Sequence, residues 1–442
     1  MNFPKDFVWG VAASSYQIEG AAREDGRGEC TWTRFSHTPG KVKDGDTGDV
    51  ACDHYHRYPE DIALMRDLGV HSYRFSVSWP RILPTGRGMV NEAGLDFYSR
   101  VVDALLAEGI QPAATLYHWD FPQALEDQGG WTNPDSVKWF VDYADVVTRA
   151  LGDRVKFWVD FNEPWCSSML GYLFGQHAPG VQDAVKAYRA AHHLMLAHGA
   201  VVPVIRQNSP GAQVGITLNP VPQLPATSSP EDIRLAWQAD GFANRWFFDP
   251  VFKGSYPMDM VKLLGETLDG LDLDAVQSAA VPTDFLGINY YMRWLIEAIP
   301  GRPGEWGSTL PEGAELTAMG WEVYPQGLTD MLVRVHRETS VPAIYVTECG
   351  AAYPEAAAPV NGIYEDPKRV AFLKGYLNGA ALAIQQGVPL KGFYVWSLLD
   401  NFEWAHGYEK RFGIVHVDFA TQKRTLKRSA LYFKDVIRNG AA

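Results

Sequence analysis

Two carboxylates close apolar runs, where a strand would hold them rigidly. Glu163 lies at the end of Trp158-Val159-Asp160-Phe161-Asn162-Glu163-Pro164, and Glu348 at the end of Ala343-Ile344-Tyr345-Val346-Thr347-Glu348, before Cys349 and Gly350. Proline cannot donate to a sheet ladder and drives the residue before it into an extended conformation, so residues 156–161 read as a strand tipped by Asn162 and Glu163. Taken alone, Asn-Glu-Pro reads best as a carboxylate that caps the next loop. A second glutamate in the same kind of place changes that reading. Two carboxyls on strand tips can act as nucleophile and general acid/base, provided their surroundings set their proton affinities apart.

The elements that must position them alternate regularly. Short apolar runs at 7–13, 72–77, 111–116, 156–161, 214–218, 284–288, 344–347 and 392–396 read as strands. Amphipathic spacing predicts helices over 53–68, 91–108, 134–151, 183–204, 231–248, 326–338, 366–386 and 426–437, with Gly109 stopping the second and Asn133 capping the third ahead of Pro134. Roughly eight βα repeats imply a parallel sheet, and in a chain of this size the α/β architecture expected is one (β/α)8 TIM barrel spanning 1–442 as a single catalytic domain. A doubly wound open sheet is the alternative, and it lacks the Gly-x-Gly-x-x-Gly turn after its first strand. The polar or Pro/Gly-rich stretches 26–49, 219–229 and 298–321 are expected to be long loops over one face.

Composition narrows the partners. With 52 acidic against 39 basic residues the 442-residue chain carries a net charge of -13, which argues against nucleic acid and anionic membranes. Cys30, Cys52, Cys166 and Cys349 form no CxxC pair and read as reduced thiols of a cytoplasmic protein. Residues 1–6 show no charged-then-apolar signal pattern, and no apolar run approaches the roughly eighteen residues of a membrane span.

A barrel keeps its chemistry at the C-terminal strand ends. There the sequence places Gln17, Arg74, His118, Trp119, Asn162, Glu163, Asn289, Tyr291, Glu348 and Trp396, followed by Asp400-Asn401-Phe402-Glu403-Trp404. Amides, an imidazole and indoles around two carboxyls suit a sugar, whose hydroxyls need donors and acceptors while its C–H face stacks on aromatic rings. A metal reading is weaker. His54-Tyr55-His56 has His-x-His spacing but enters a helix, and His192, His193 and His198 share a helix without the Glu of His-Glu-x-x-His. His54 and His56 are expected to be structural, the other three to pack or meet solvent, and Trp131, Trp158 and Trp237 could be core or sugar platform.

These motifs carry a resemblance. Phe7-Val8-Trp9-Gly10-Val11-Ala12-Ala13-Ser14-Ser15-Tyr16-Gln17-Ile18-Glu19-Gly20, Tyr73-Arg74-Phe75-Ser76, Tyr117-His118-Trp119-Asp120, Asn162-Glu163-Pro164, Thr347-Glu348 with Gly350, and Asn401-Phe402-Glu403-Trp404 follow in order nearly end to end. The sequence resembles family 1 glycoside hydrolases of the β-glucosidase type. The resemblance implies a (β/α)8 barrel and retention of anomeric configuration, with Glu163 as acid/base, Glu348 as nucleophile and no cofactor or metal. It further implies that Gln17, His118, Trp119, Asn162, Tyr291, Glu403 and Trp404 hold the sugar, that Trp396 forms its floor, and that Arg74, Asn289 and Tyr291 steady Glu348. In a retaining mechanism the two carboxyls lie about 5 Å apart, Arg74 would keep Glu348 ionised, and that charge would raise the affinity of Glu163 for its proton.

Two positions depart from the family pattern, Asp160 where relatives carry Thr and Cys349 where they carry Asn. Cys349 reads as a tolerated small residue in a loop. Strand alternation places Asp160 on the same side as Asn162, inside the barrel, paired with Arg74 or His118. An ionised carboxylate there, about 7 Å from the glutamates at an effective dielectric near 20, would contribute roughly 2 kcal/mol and move both limbs of the pH–rate profile up, whereas a protonated Asp160 would only donate a hydrogen bond and leave them in place.

Three functions follow in order. The first is a β-glycosidase acting on unphosphorylated glucosides, galactosides or fucosides, with small-molecule β-glycosides or cellobiose-like oligosaccharides as partners and homo-oligomerisation left open. A 6-phospho-β-glycosidase would want a small polar residue and a Lys near the last sugar-binding loop, where Glu403-Trp404 instead offer a carboxylate that repels phosphate. A non-catalytic sugar-binding barrel would normally have lost one glutamate.

Overall fold

The computed structural model describes residues 2–302 and 304–442; Met1 of the N-terminal stretch and Pro303 of the expected loop 298–321 lie outside the described residues. Eight parallel strands close into a barrel: β1 (Val8–Ala12), β2 (Ser72–Ser76), β3 (Gln111–Tyr117), β4 (Phe157–Asn162), β5 (Gln213–Leu218), β6 (Phe285–Asn289), β7 (Ile344–Cys349) and β8 (Leu390–Trp396). They pair in sequence order and β1 closes the ring against β8, with Val8 opposite Gly392 and Ala12 opposite Trp396. The strands are nearly continuous in apolar character because both faces are covered. One face packs inward, where Ala113, Phe157, Val159, Phe285, Tyr345 and Tyr394 fill the barrel. The other packs against the helices in a larger core that includes Val11, Trp158, Phe161, Ile344 and Val346.

Two irregularities interrupt this alternation at the chemically important tips. Pairing of β4 with β5 slips between Val159 and Asn162, and pairing of β7 with β6 slips between Val346 and Glu348. A slip of one residue inverts which side chains face inward beyond it.

Helices alternate with the strands as the periodicity predicts. His54–Leu68 ends at Gly69 with φ 77, the left-handed conformation glycine adopts freely, and Asp183 caps Ala184–Asn208 by accepting from the Lys186 N–H. The helix expected over 231–248 is broken instead: Pro230–Asp240 runs into a wide turn, Gly241–Arg245, before Trp246–Lys253. Two of the three expected loops also carry strands. Gln223–Pro225, Trp294–Ala298 and Trp306–Thr309 form a three-stranded sheet beside the barrel mouth, and 26–49 contains the helix Thr31–Ser36. Runs of three to six residues are too short for periodicity to reveal them. No helix among the described residues is long and apolar enough to cross a membrane.

Candidate active site

Glu163 follows the slipped end of β4 and turns sharply, with φ 49, a conformation that costs a non-glycine residue about 1–3 kcal/mol. Its N–H is held by the Thr217 carbonyl at 2.9 Å, and its own carbonyl accepts from the Cys166 and Ser167 N–H groups, which open the wide π-helix Cys166–Leu173. The carboxyl is held at both oxygens. Asn289 Nδ2 donates to Oε1 at 2.6 Å, and the Cys166 thiol donates to Oε2 at 3.0 Å.

Glu348 is held differently. Arg74 Nη1 donates to Oε1 and the Tyr291 hydroxyl to Oε2, each at 2.6 Å. The slip in β7 turns Thr347 and Glu348 both inward, so the Thr347 hydroxyl reaches Asn289 Oδ1 at 2.7 Å and orients that amide. Gly350 is required just beyond: a Cβ there would lie 1.6 Å from the Trp396 carbonyl oxygen. Arg74 Nη2 also donates to Asn162 Oδ1 at 2.6 Å, which leaves Asn162 Nδ2 facing His118 Nε2 at 3.1 Å.

The two carboxyls therefore differ electrostatically. Burial, then the charge of Glu348, pushes Glu163 up to about 7, with the Cys166 and Asn289 hydrogen bonds pulling the other way. Burial also raises Glu348, but the Arg74 guanidinium and the Tyr291 hydroxyl oppose it directly, so Glu348 is the stronger acid of the pair. Glu403 is pushed up to about 8 by burial and by the Glu348 charge. His118 is held well below the usual imidazole range, by burial first and then by Arg74, and is neutral.

These groups open into a cavity of about 840 Å³, within the range of small-molecule sites. Of the expected residues, His118, Trp119, Glu163, Asn289, Tyr291, Glu348, Trp396, Glu403 and Trp404 line it. Gln17, Arg74 and Asn162 are buried and are not among the lining residues. Gln17 Nε2 reaches Asn401 Oδ1 at 3.0 Å, the Phe402 carbonyl at 2.9 Å and Glu403 Oε2 at 3.3 Å, which fixes the loop carrying Glu403. Rings complete the wall, Trp119 lying 4.6 Å from Trp404 and Tyr291 5.3 Å from Trp321.

Several expectations are corrected. Asp160 does not enter the barrel: the slip in β4 leaves it on the outer face, where Oδ2 pairs with His198 Nδ1 at 2.5 Å and Oδ1 accepts from the Phe161 N–H at 2.6 Å. It meets neither Arg74 nor His118, and the predicted electrostatic effect on the glutamates has no geometric basis. Asn289 serves both carboxyls, donating to Glu163 Oε1 and Asn162 Oδ1 while its amide also favours the ionised form of Glu348. Cys349 ends a strand instead of sitting in a loop, fully buried in the outer core.

Three of the histidines outside the site are packed, His54 on Asp61, His192 on the Tyr256 hydroxyl and His193 on the Trp131 carbonyl, whereas His56 is exposed and pairs with Asp53 and Glu24. Trp131 and Trp158 are core, whereas Trp237 is exposed under the Arg245 guanidinium. Glu355, Asp400 and His416 lie close enough together to suggest a metal, but Lys427 and Arg411 already supply the positive charge there.

Sequence reasoning missed Cys166, Thr347 and the outer wall, where Trp165, Phe174, Trp294 and Trp306 widen the cavity. The signal for Cys166 was its place three residues after Glu163, where a turn of helix brings a side chain back.

Comparison with known proteins agrees with this geometry. The model of glycosyl hydrolase family 1 matches residues 1–441. Beta-glucosidase A of Acetivibrio thermocellus is 48% identical over 445 residues, covering 99% of both chains. A bifunctional beta-D-glucosidase/beta-D-fucosidase of Bifidobacterium breve is 40% identical over 468 residues, covering 100% of this chain and 99% of its own. The solved beta-glucosidase of Thermotoga maritima in complex with deoxynojirimycin superposes with a TM-score of 0.97 at 46% identity, covering 100% of this chain and 99% of that one. A barrel that brings two differently held carboxyls to one aromatic cavity, with this likeness along its whole length, leaves one assignment: the chain belongs to glycosyl hydrolase family 1 and is a glycoside hydrolase.

Proposed function

We propose that the enzyme is a retaining β-glucosidase that removes non-reducing terminal β-D-glucosyl residues by double displacement, with Glu348 as nucleophile and Glu163 as acid/base. The observation that carries these roles is the asymmetry of the pair: both oxygens of Glu348 take donors, one of them a guanidinium, while Glu163 takes only neutral donors and faces the Glu348 charge. Ionised Glu348 attacks the anomeric carbon as protonated Glu163 passes its proton to the departing oxygen. Forming the ester removes the negative charge opposite Glu163. Its proton affinity falls, and the carboxylate takes a proton from the incoming water, whose oxygen displaces Glu348 from the sugar.

Gln17, His118, Asn162, Tyr291, Glu403 and Trp404 would hold the glucosyl unit, with Trp396 as floor and Trp119 beside it. Galactosides and fucosides are proposed as further substrates, and cellobiose-like ends would place the enzyme in cellulose breakdown. Four buried, unpaired thiols are consistent with a reducing compartment, and a single catalytic domain in the cytoplasm is proposed. The lining of the cavity holds no Lys or Arg among the described residues, which speaks against 6-phosphoglycosides. A panel of nitrophenyl glycosides with and without a 6-phosphate tests this: hydrolysis of glucoside is expected, and a preference for the phosphorylated sugar, or no hydrolysis, would overturn it.

A further inference from the structure

Glu163 has two oxygens, and they are not equal places for the catalytic proton. Asn289 Nδ2 lies 2.6 Å from Oε1, and an amide nitrogen can only donate, so Oε1 is an acceptor whether the carboxyl is ionised or not. The amide cannot be turned over without breaking other bonds, because its Oδ1 accepts from the Thr347 hydroxyl and its nitrogen also donates to Asn162 Oδ1. Accepting from the amide makes Oε1 the poorer place for a proton, and Oε2, whose partner can also accept, the better one. The partner of that oxygen is Cys166 Sγ at 3.0 Å, and Asn219 Nδ2 approaches the sulfur from another side at 3.5 Å.

We propose that Cys166 is a positioning residue for proton transfer: its thiol holds Oε2 of Glu163 in place through both protonation states and sets how readily that oxygen releases its proton. This rests on the reading of Glu163 as the acid/base. A thiol suits the task because it both donates and accepts, so it can accept from a protonated Oε2 and donate to an ionised one. Its bond to the carboxyl is weaker than that of a hydroxyl, which leaves Oε2 free to exchange this partner for the leaving oxygen. The proton count closes with sulfur unchanged. Oε2–H gives its proton to the departing oxygen, Cys166 S–H then donates to the new carboxylate, and water returns a proton to Oε2 in the second displacement.

The fold supports this placement independently of the bond. Cys166 opens the π-helix that follows Pro164 and Trp165, and its backbone N–H is already anchored on the Glu163 carbonyl at 2.9 Å. Such wide turns within helices are often found at functional sites. The sulfur is held against the carboxyl by the same turn that carries Leu170 and Phe174 into the cavity wall. Thiolate chemistry is not involved, since burial raises Cys166 well above the usual thiol range. The other charged or titratable groups facing Glu163 are Glu348 on β7, Arg74 on β2, His118 after β3, Tyr291 after β6 and Glu403 after β8, and Cys166 stands apart from all of them as a neutral donor to Oε2.

The test is the alkaline limb of kcat/KM for phenyl β-glucoside, whose poor leaving group needs the acid, with dinitrophenyl β-glucoside as the substrate that does not. Removing a donor to the carboxylate raises its proton affinity, so Cys166→Ala should move the phenyl-glucoside limb up by about half a pH unit. Cys166→Ser, which keeps a donor, should place it at or below the parent's. Dinitrophenyl-glucoside kcat/KM should change less than that for phenyl glucoside in both variants. A limb that stays put or falls in Cys166→Ala, or a Ser variant that behaves like Ala, overturns the proposal, and thermal melting of each variant shows that the comparison is made on folded enzyme. Failure of the underlying reading is separate: Glu163→Gln would then leave the phenyl-glucoside limb intact.

Discussion

Asp160 and His198 form a fully buried carboxylate–imidazole pair, Oδ2 to Nδ1 at 2.5 Å, between β4 and the helix Ala184–Asn208. The same carboxylate takes the N–H of Phe161, whose place in the ladder is disturbed where pairing with β5 slips. Asp160 thus braces the turn that ends in Asn162 and Glu163 from outside the barrel, with its carboxyl directed away from the cavity.

Removing that carboxylate should act on stability. Asp160→Ala leaves His198 Nδ1 and the Phe161 N–H without their buried acceptor and is expected to cost roughly 1–3 kcal/mol for each group in urea unfolding. Asp160→Thr, which keeps an oxygen near the Phe161 N–H, should cost less. Both limbs of the pH–rate profile should stay where the parent has them, and limbs displaced together would show that Asp160 acts on the glutamates after all.

Glu348→Gly should abolish hydrolysis, because the ester can form only on an ionised carboxylate at this position. Azide fits the space left behind and should attack from the face that Glu348 occupied. The product expected with dinitrophenyl β-glucoside is the α-glucosyl azide, and recovery of the β-azide would remove Glu348 from the nucleophile's role.

Glu163→Ala should separate substrates by leaving group. General acid assistance is worth about 10²–10⁴-fold, so kcat/KM for phenyl glucoside should fall by that order while dinitrophenyl glucoside is affected far less. In the parent, Glu163 must be protonated and Glu348 ionised, which places the alkaline limb near pH 7. Equal losses on both substrates, or a limb unmoved by the substitution, would argue for another acid.

Glu403 should reveal itself in the pH dependence of stability. Its folded proton affinity, up to about 8, lies above that of an unfolded glutamate, so the parent is most stable where Glu403 is protonated in both states and loses stability as pH rises toward 8. Glu403→Gln has no such loss. Its Tm should exceed the parent's by a margin that widens between about pH 5 and pH 8, and a constant margin would mean that Glu403 is already ionised in the empty site.

Much of this enzyme is legible in one dimension. Pro164 can only end a ladder, so Glu163 had to stand on a strand tip; the repeated change from short apolar runs to helical spacing implies a parallel sheet, and about eight repeats in one chain favour its closure. Those are local rules of backbone geometry and periodicity, and they hold wherever the neighbours lie. What alternation could not supply is phase. A slip between Val159 and Asn162 sends Asp160 outward, and another before Glu348 turns two successive side chains inward, because registry depends on what the adjoining strand offers. Partner choice was likewise a tertiary matter: Asn289 serves Glu163 because Thr347, from a different strand, fixes its amide. Cys166 shows its partner only once the turn after Glu163 sets its thiol against that carboxyl, and the sheet at the cavity mouth joined three short segments that no periodicity could link.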